Sequence, residues 1–425
     1  MRPLRLSTIV LVAMLSMAFC SYAQTFPPLA SADALGQDLF LRSGSTGMVM
    51  VVVRGDEVFF RGYGETAIGS GQAPTADSLL RLCSLSKIFA TDLLIKLAMD
   101  NTVRLDTTLQ RLAPPHVLVP PRAGRAITLA DLATHTAGLP REVGRAPHGS
   151  AHFTFPDYRY RWAWLPKQHL KTTPGTAALY SNIGFDLLGD ALSAATHQSY
   201  AHLFAERTAQ PLGLHETGFD PNPGQCARLL QGAHDEGMCT STEQSAASAG
   251  VYSTARDMTV WLKYLLGTGA PAIPAQNPVA QAVYLHPENL VSVSGLDHAG
   301  DPSGIGLGWI HTQPLGDPSE LVEKTGGGAG FLTYIAINHA RKIAIFVAAT
   351  DGQVETHLNL FRAANDVLLN LAGLPPLPPE PPRPVRRAAP VRRAAPASRR
   401  PGRPAARKAS PQAKKPRAHR KAPAS

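Results

Sequence analysis

After the short run Ile9–Phe19 the chain has no continuous apolar segment of the roughly 18 residues that a membrane-spanning helix needs. That excludes an integral membrane body and leaves a water-soluble chain as the expectation. Three catalytic signatures are also missing. No Gly-x-Ser-x-Gly elbow is present, which excludes the α/β-hydrolase route to a serine nucleophile. No Gly-x-x-x-x-Gly-Lys-Ser/Thr loop is present, so a nucleotide-phosphate cradle is a poor reading of the glycine-rich stretches. None of the 15 histidines falls in a His-Glu-x-x-His or comparable metal pattern, and neither a metal nor any other cofactor is called for. Cysteine is scarce as well, at four residues, too few for a small disulfide scaffold.

What is there begins with the two ends. Arg2 and Arg5 precede the run Ile9–Phe19, and Ser21 and Ala23 are small residues at the positions a signal peptidase prefers. Residues 1–23 are therefore expected to be a signal peptide that sends a mature protein starting at Gln24 to the periplasm. Cys20 leaves with it, and the bulky Phe19 beside it argues against lipidation. The far end, residues 374–425, is Pro, Ala, Arg and Lys with almost no large apolar side chain, a composition that cannot offset ordering entropy and is expected to be disordered. It carries 15 Lys and Arg against Glu380 alone, which accounts for the formal net charge of +10 and leaves a mildly acidic body. Export argues against nucleic acid as its partner. Anionic envelope polymers or a membrane surface are the alternatives to a bare solvated tether, and association of that kind weakens steeply with salt.

Residues 24–373 then form one catalytic body with a sizeable insertion. Met48–Val53 and Val58–Tyr63 flank a polar turn as in a hairpin, and Phe331–Ile337 with Ile343–Ala349 repeat the pattern late in the chain. A closing helix is expected over Glu355–Leu371. Between the strand-rich ends, roughly 101–245, the sequence is helical and loop-rich. The expected architecture is a mixed α/β fold: a sheet built from both chain ends, flanked by helices, with an inserted helical region and a cleft between them. In an oxidising compartment Cys226 and Cys239, within one Pro, Gly and polar stretch, read as a disulfide closing a surface loop. Cys83 is left unpaired as a small packed thiol.

Three elements carry chemistry. Ser84-Leu85-Ser86-Lys87 opens a run with Ile88, Leu93, Leu94 and Leu97 at the spacing of an amphipathic helix, so Lys87 lies one turn from Ser84 on the same face. A partly desolvated lysine loses its proton near neutral pH and activates a serine without histidine. Tyr180-Ser181-Asn182 precedes a helical patch, Ile183–Ala194; a phenol near a cation shuttles protons, and an asparagine amide orients a substrate carbonyl. Lys324-Thr325-Gly326-Gly327 leads into the strand at Phe331, where a lysine and a threonine meet a carboxylate and glycines allow close backbone approach. Each motif alone has a bland alternative: a chance Ser/Lys pair, a packing tyrosine, a glycine-rich turn. Together, in this order, they form the set used by serine penicillin-recognising enzymes.

The chain accordingly resembles that family. Tyr-x-Asn as second motif, Leu132–Pro140, Gly250–Met258 and Gly306–Trp309 are similar to class C β-lactamases and the related low-molecular-mass penicillin-binding DD-peptidases. Within them, Arg81–Lys87, the Cys226/Cys239 pair and Lys324–Gly328 look most like the AmpH-type D-alanyl-D-alanine carboxypeptidase/endopeptidases. The resemblance spans roughly residues 30–373. It implies a β-lactamase/transpeptidase-like fold with an antiparallel sheet and a helical domain, and an acyl-enzyme on Ser84. It further implies shared proton transfer by Lys87 and Tyr180, orientation of the acyl amide by Asn182 and carboxylate binding by Lys324 and Thr325. Oxyanion donors would be the N–H groups of Ser84 and Gly327, with no cofactor. The implied substrates are peptidoglycan peptides and β-lactams. Alternatives are a class C β-lactamase, a serine esterase of the same fold, against which Lys324 argues, and a non-catalytic wall-binding protein working through its tail. His135 is read as structural.

Overall fold

The computed structural model describes residues 27–379 apart from 235–236, 270–276, 297–298 and 353–357. The expected signal peptide and nearly all of the basic tail lie outside the described residues, as does the expected start of the closing helix. Everything described belongs to one compact unit.

Eleven strands are formed among the described residues: β1 Gly47–Arg54, β2 Glu57–Gly64, β3 Leu79–Arg81, β4 Ala178–Leu179, β5 Tyr252–Thr254, β6 Val293–Ser294, β7 Gly304–Ile305, β8 Ile310–Thr312, β9 Leu321–Gly328, β10 Phe331–Asn338 and β11 Ile343–Thr350. Seven of them make one antiparallel sheet in the order β2-β1-β11-β10-β9-β8-β7. The two hairpins expected from the sequence are both present. They join through β1 and β11, from Met48 opposite Ala349 to Arg54 opposite Ile343, so the chain ends meet in mid-sheet.

Alternation decides which face each side chain serves. Met48, Met50 and Val52 face one layer with Tyr334, Ile345 and Val347, and the helices α1 (Ala32–Ser43) and α5 (Leu360–Leu371) cover it through Leu39, Leu360 and Leu368. Val49, Val51 and Val53 face the other layer with Ile335 and Phe346, against Phe89 of α2 (Ser86–Met99) and Trp261 of α4 (Ala255–Leu266). Strands buried on both faces need no polar stripe, which is why β1 and β11 are nearly continuous apolar runs. Each fully buried Leu or Phe in these layers contributes about 1.5–3 kcal/mol.

Two helices differ from the sequence reading. The run after Ser84 is not an amphipathic surface helix: every residue from Ser86 to Leu97 of α2 is buried, because α2 is wedged between the sheet layer and the helix α3 (Asn182–Thr196). A helix enclosed on all sides keeps no polar face. The closing helix starts at Leu360, where the Asn359 side chain accepts the N–H of Arg362 as an N-cap. Between the sheet-forming ends, 101–245 contributes α3, several shorter helices and long loops, and Cys226 is bonded to Cys239 within it.

Candidate active site

Ser84 sits in a 3-10 turn, Cys83–Leu85, that leads directly into α2. The turn is pinned from three directions. Thr333 Oγ1 on β10 donates to the Leu82 carbonyl at 2.8 Å, and the Leu82 N–H donates to Val251 O at 2.8 Å. Ser86 Oγ donates to Cys83 O at 2.7 Å and accepts the Val251 N–H at 3.0 Å. Ser86, between Ser84 and Lys87 in the motif, is thus a brace, with its hydroxyl fully committed. Cys83 occupies the left-handed region at φ 51°, its Sγ 3.2 Å from the carbonyl of Gly328 on β9. Burial pushes this thiol up to about 12, so it stays protonated, as expected of a packed cysteine.

Two donors converge on Ser84 Oγ. Lys87 Nζ lies 3.2 Å away and the Tyr180 hydroxyl 2.6 Å away. Both favour negative charge on that oxygen. Lys87 is fully buried and donates also to Asn182 Oδ1 at 2.7 Å and to the Ser248 carbonyl at 2.6 Å, which uses its three hydrogens. Burial, followed by the positive charge of Lys324, holds its ammonium well below the usual lysine range. Its charge is further cradled by two ring faces, Tyr180 at 4.9 Å and Phe185 at 5.4 Å from the centroids.

Tyr180 and Asn182 are delivered by the start of α3. Ser181 caps this helix, its Oγ accepting the Gly184 N–H and donating to Pro140 O at 2.7 Å. The Ser181 N–H donates to His135 Nδ1 at 3.0 Å, and the His135 ring stacks on Tyr180 with centroids 4.5 Å apart. His135 is buried among Lys87, Lys324 and Arg141, so desolvation first and those cations second hold its pKa well below the usual histidine value. A neutral imidazole that orients the phenol is a structural role, as the sequence suggested, but one in direct contact with the chemistry. The Asn182 amide is already engaged on both sides, by Lys87 and by the exposed carboxylate of Glu142.

The late strand β9 runs along the other side of Ser84. Lys324 and Thr325 are buried, with Lys324 Nζ 5.2 Å from the Tyr180 centroid, whereas Gly327 and Gly328 are exposed at the strand end. Gly326 is where the strand meets the Ser84 turn: a β-carbon there falls 2.2 Å from Thr333 Oγ1, 2.7 Å from Leu82 O and 3.2 Å from Ser84 N. No side chain fits, so only glycine lets β9 lie against the turn. The Ser84 N–H thereby lies beside β9 at Gly326.

All three motifs therefore meet at Ser84. Sequence reasoning missed several contributors: the Ser248 carbonyl, the Arg141 guanidinium 4.4 Å over the Tyr180 ring, Glu142 and Asp186. A backbone carbonyl carries no sequence signal, and Arg141 and Glu142 follow a motif-like stretch without belonging to it.

Comparison with known proteins agrees with this geometry. The β-lactamase family matches residues 34–369. The D-alanyl-D-alanine-carboxypeptidase/endopeptidase AmpH of Escherichia coli (strain K12) is 37% identical over 381 residues, 88% of this chain and 98% of that protein. A β-lactamase/D-alanine carboxypeptidase from Yersinia pestis superposes with a TM-score of 0.76 at 37% identity, covering 81% of this chain and 99% of that one. A class C β-lactamase from Rhodobacter sphaeroides, at 24% identity and a TM-score of 0.62 over 81% of this chain and 98% of its own, shares the fold. A match over nearly the whole described body, with Ser84, Lys87, Tyr180 and Lys324 gathered in one buried cluster, makes this chain a member of the β-lactamase family.

Proposed function

We propose that the chain is a periplasmic serine D-alanyl-D-alanine carboxypeptidase/endopeptidase that acts on peptidoglycan peptides through an acyl-enzyme on Ser84. The observation that carries this reading is the convergence of Lys87 Nζ and the Tyr180 hydroxyl on Ser84 Oγ, beside a strand edge bearing a buried lysine. In the first step Ser84 Oγ bonds to the carbonyl carbon of the penultimate D-Ala, while its proton passes to the Lys87/Tyr180 pair. The N–H groups of Ser84 and Gly327 hold the oxyanion, each such donor contributing about 10²- to 10³-fold in rate. The C–N bond then breaks and the pair returns the proton to the leaving amine. Water, deprotonated by the same pair, releases the acyl group from Ser84. Lys324 and Thr325 bind the terminal carboxylate of the substrate, and Asn182 turns from Lys87 to the acyl amide. Two of the relatives named above support the substrate class, one being a D-alanyl-D-alanine-carboxypeptidase/endopeptidase and the other a β-lactamase/D-alanine carboxypeptidase.

A class C β-lactamase activity is the second reading, favoured by the shared fold. It uses the same acylation and differs in how fast water reaches the ester. Mass spectrometry of muropeptides incubated with the mature protein separates the readings. Loss of a terminal D-Ala or cleavage of cross-links is the expected result; intact muropeptides with rapid penicillin turnover overturn it. Ser84→Ala abolishes covalent labelling by a fluorescent penicillin, and persistent labelling sinks the nucleophile assignment. The basic tail, in this proposal, holds the enzyme to anionic wall polymers or membrane surface. Retention on isolated envelopes at low salt is then lower without residues 374–425, and equal retention refutes it.

A further inference from the structure

Alternate residues of a strand share a face, and on β9 Lys324, Gly326 and Gly328 form such a row. Each meets a different neighbour. Lys324 Nζ lies 5.2 Å from the Tyr180 centroid, and Gly326 lies against the Ser84 turn. A β-carbon on Gly328 falls 3.3 Å from Phe153 Cζ and 3.6 Å from its Cε1, so the Phe153 ring stands at the end of the row. β8 stops at Ile310, opposite Glu323, and this last stretch of β9 outruns it, with Gly327 and Gly328 exposed.

Phe153 is held there by a built wall. The residue is partly buried, packed against the hydrophobic layer that also contains Phe89 and Trp261. His152 beside it lies against Gly237, where a β-carbon falls 2.6 Å from His152 Cδ2. Gly237 and Met238 are fixed in turn: their carbonyls accept Arg81 Nη2 at 3.0 and 2.9 Å, and Cys239 after them is bonded to Cys226. Arg81 is buried at the end of β3, three residues before Ser84, so wall and nucleophile share one anchor. The Phe153 backbone is in the left-handed region at φ 60°, which a bulky residue adopts at a cost and which glycine or asparagine accepts readily. The local backbone therefore gains nothing from a phenyl group. What the ring supplies is its contact with Gly328 and the surface it leaves open.

We propose that Phe153 is a specificity-determining residue: its ring closes the acyl side of the cleft at Gly328 and packs on the aliphatic side chain of the residue that precedes the penultimate D-Ala. The inference rests on the peptidase reading above and adds a substrate preference to it. Its direction follows from the row on β9. With the terminal carboxylate at Lys324 and the attacked carbonyl at Ser84 beside Gly326, the rest of the peptide continues towards Gly328. Two strand residues span about 7 Å, within reach of the side chain before the penultimate D-Ala. A phenyl ring carries neither charge nor hydrogen-bonding group, so what it selects is apolar surface.

The test compares kcat/KM for D-Ala release from two peptides that differ in one side chain, diacetyl-L-lysyl-D-alanyl-D-alanine and acetylglycyl-D-alanyl-D-alanine. The proteins are the wild type, Phe153→Gly and Phe153→Asn, both substitutions suited to the left-handed backbone. The wild type favours the lysyl peptide by about 10-fold or more. In both variants the preference falls to about threefold or less, while the glycyl peptide keeps its rate and a fluorescent penicillin still labels Ser84. An unchanged preference in a folded variant overturns the proposal. So does an equal loss on both peptides, or the failure of both variants to fold, since either makes the ring a structural prop. A wild type that releases D-Ala from neither peptide overturns the peptidase reading as well, whereas release without preference overturns the role of Phe153 alone.

Discussion

Lys87 and Lys96 stand on the same helix, both buried, and are solvated by the protein in opposite ways. Lys96 donates to the carboxylate of Asp92 at 2.7 Å, to Thr208 Oγ1 at 3.0 Å and to Arg207 O at 2.9 Å, while Tyr264 donates to the second Asp92 oxygen at 2.7 Å. It is half of a closed ion pair that ties α2 to its neighbours. Lys87 meets three neutral oxygens, one of them the Ser84 hydroxyl, and two cations at longer range. Burial is shared by the two; the partner decides the role. A carboxylate in contact makes a lysine architectural, and neutral acceptors leave it poised to release a proton.

That contrast is open to attack by exchanging each lysine for methionine. Lys87→Met lowers the rate of penicillin acylation by about 10²- to 10⁴-fold, yet its Tm stays level or rises, because a desolvated ammonium without a contacting carboxylate is replaced by a side chain that belongs in a core. Lys96→Met does the reverse. It strands Asp92 and costs about 3–5 kcal/mol in urea unfolding, with the acylation rate of the folded fraction unchanged. A stable Lys96→Met, or an active Lys87→Met, breaks the comparison.

Tyr180→Phe sharpens it. With one of the two donors to Ser84 Oγ removed, stopped-flow acylation slows by about 10²-fold while circular dichroism is unaltered, since the ring stays stacked on His135. Rates within a factor of two of wild type would show that Lys87 works alone. Gly326→Ala comes next: the added methyl pushes β9 off the nucleophile turn, and the same rate falls by about 10²-fold without any change of charge. Normal acylation by this variant argues that the strand has slack which its contacts do not show.

The smallest effect belongs to the third buried base, His135. The unfolded chain takes up a proton below about pH 6.5, whereas the folded protein, with its depressed imidazole pKa, does not. The stability this confers is complete above that pH and is lost as pH falls, by up to about 1.4 kcal/mol per unit. Urea unfolding between pH 6.5 and about 5 measures the slope, and His135→Gln, which keeps an acceptor for the Ser181 N–H, flattens it. An unchanged slope assigns the acid sensitivity to other groups.

Much of the site was legible in advance because its chemistry resides in side chains with strict requirements. Ser84, Lys87, Tyr180, Lys324 and the glycines after it have few substitutes for what they do, so they stand in recognisable order. Both hairpins were legible because paired apolar segments flanking a short polar turn, as in β1–β2 and β10–β11, are a local property. The character of α2 was not. Its Ser and Lys residues mimic a polar face, and only their tertiary partners, Cys83 O for Ser86, Ser248 O for Lys87 and Asp92 for Lys96, show that they are buried. Arg141 and Glu142 were missed for a related reason: their contribution is made by a backbone carbonyl, a guanidinium over an aromatic face and a carboxylate on the Asn182 amide.

By itself, then, the sequence determined the candidate reacting groups, their order along the chain and the long strands of the two hairpins, because residue type and short-range periodicity are enough for those. Tertiary structure alone decided how Lys87 is tuned. Desolvation and charge depend on what lies within a few ångströms in space, and the groups that tune this lysine, Lys324, Arg141, Glu142 and Asp186, are drawn from segments far apart in the chain.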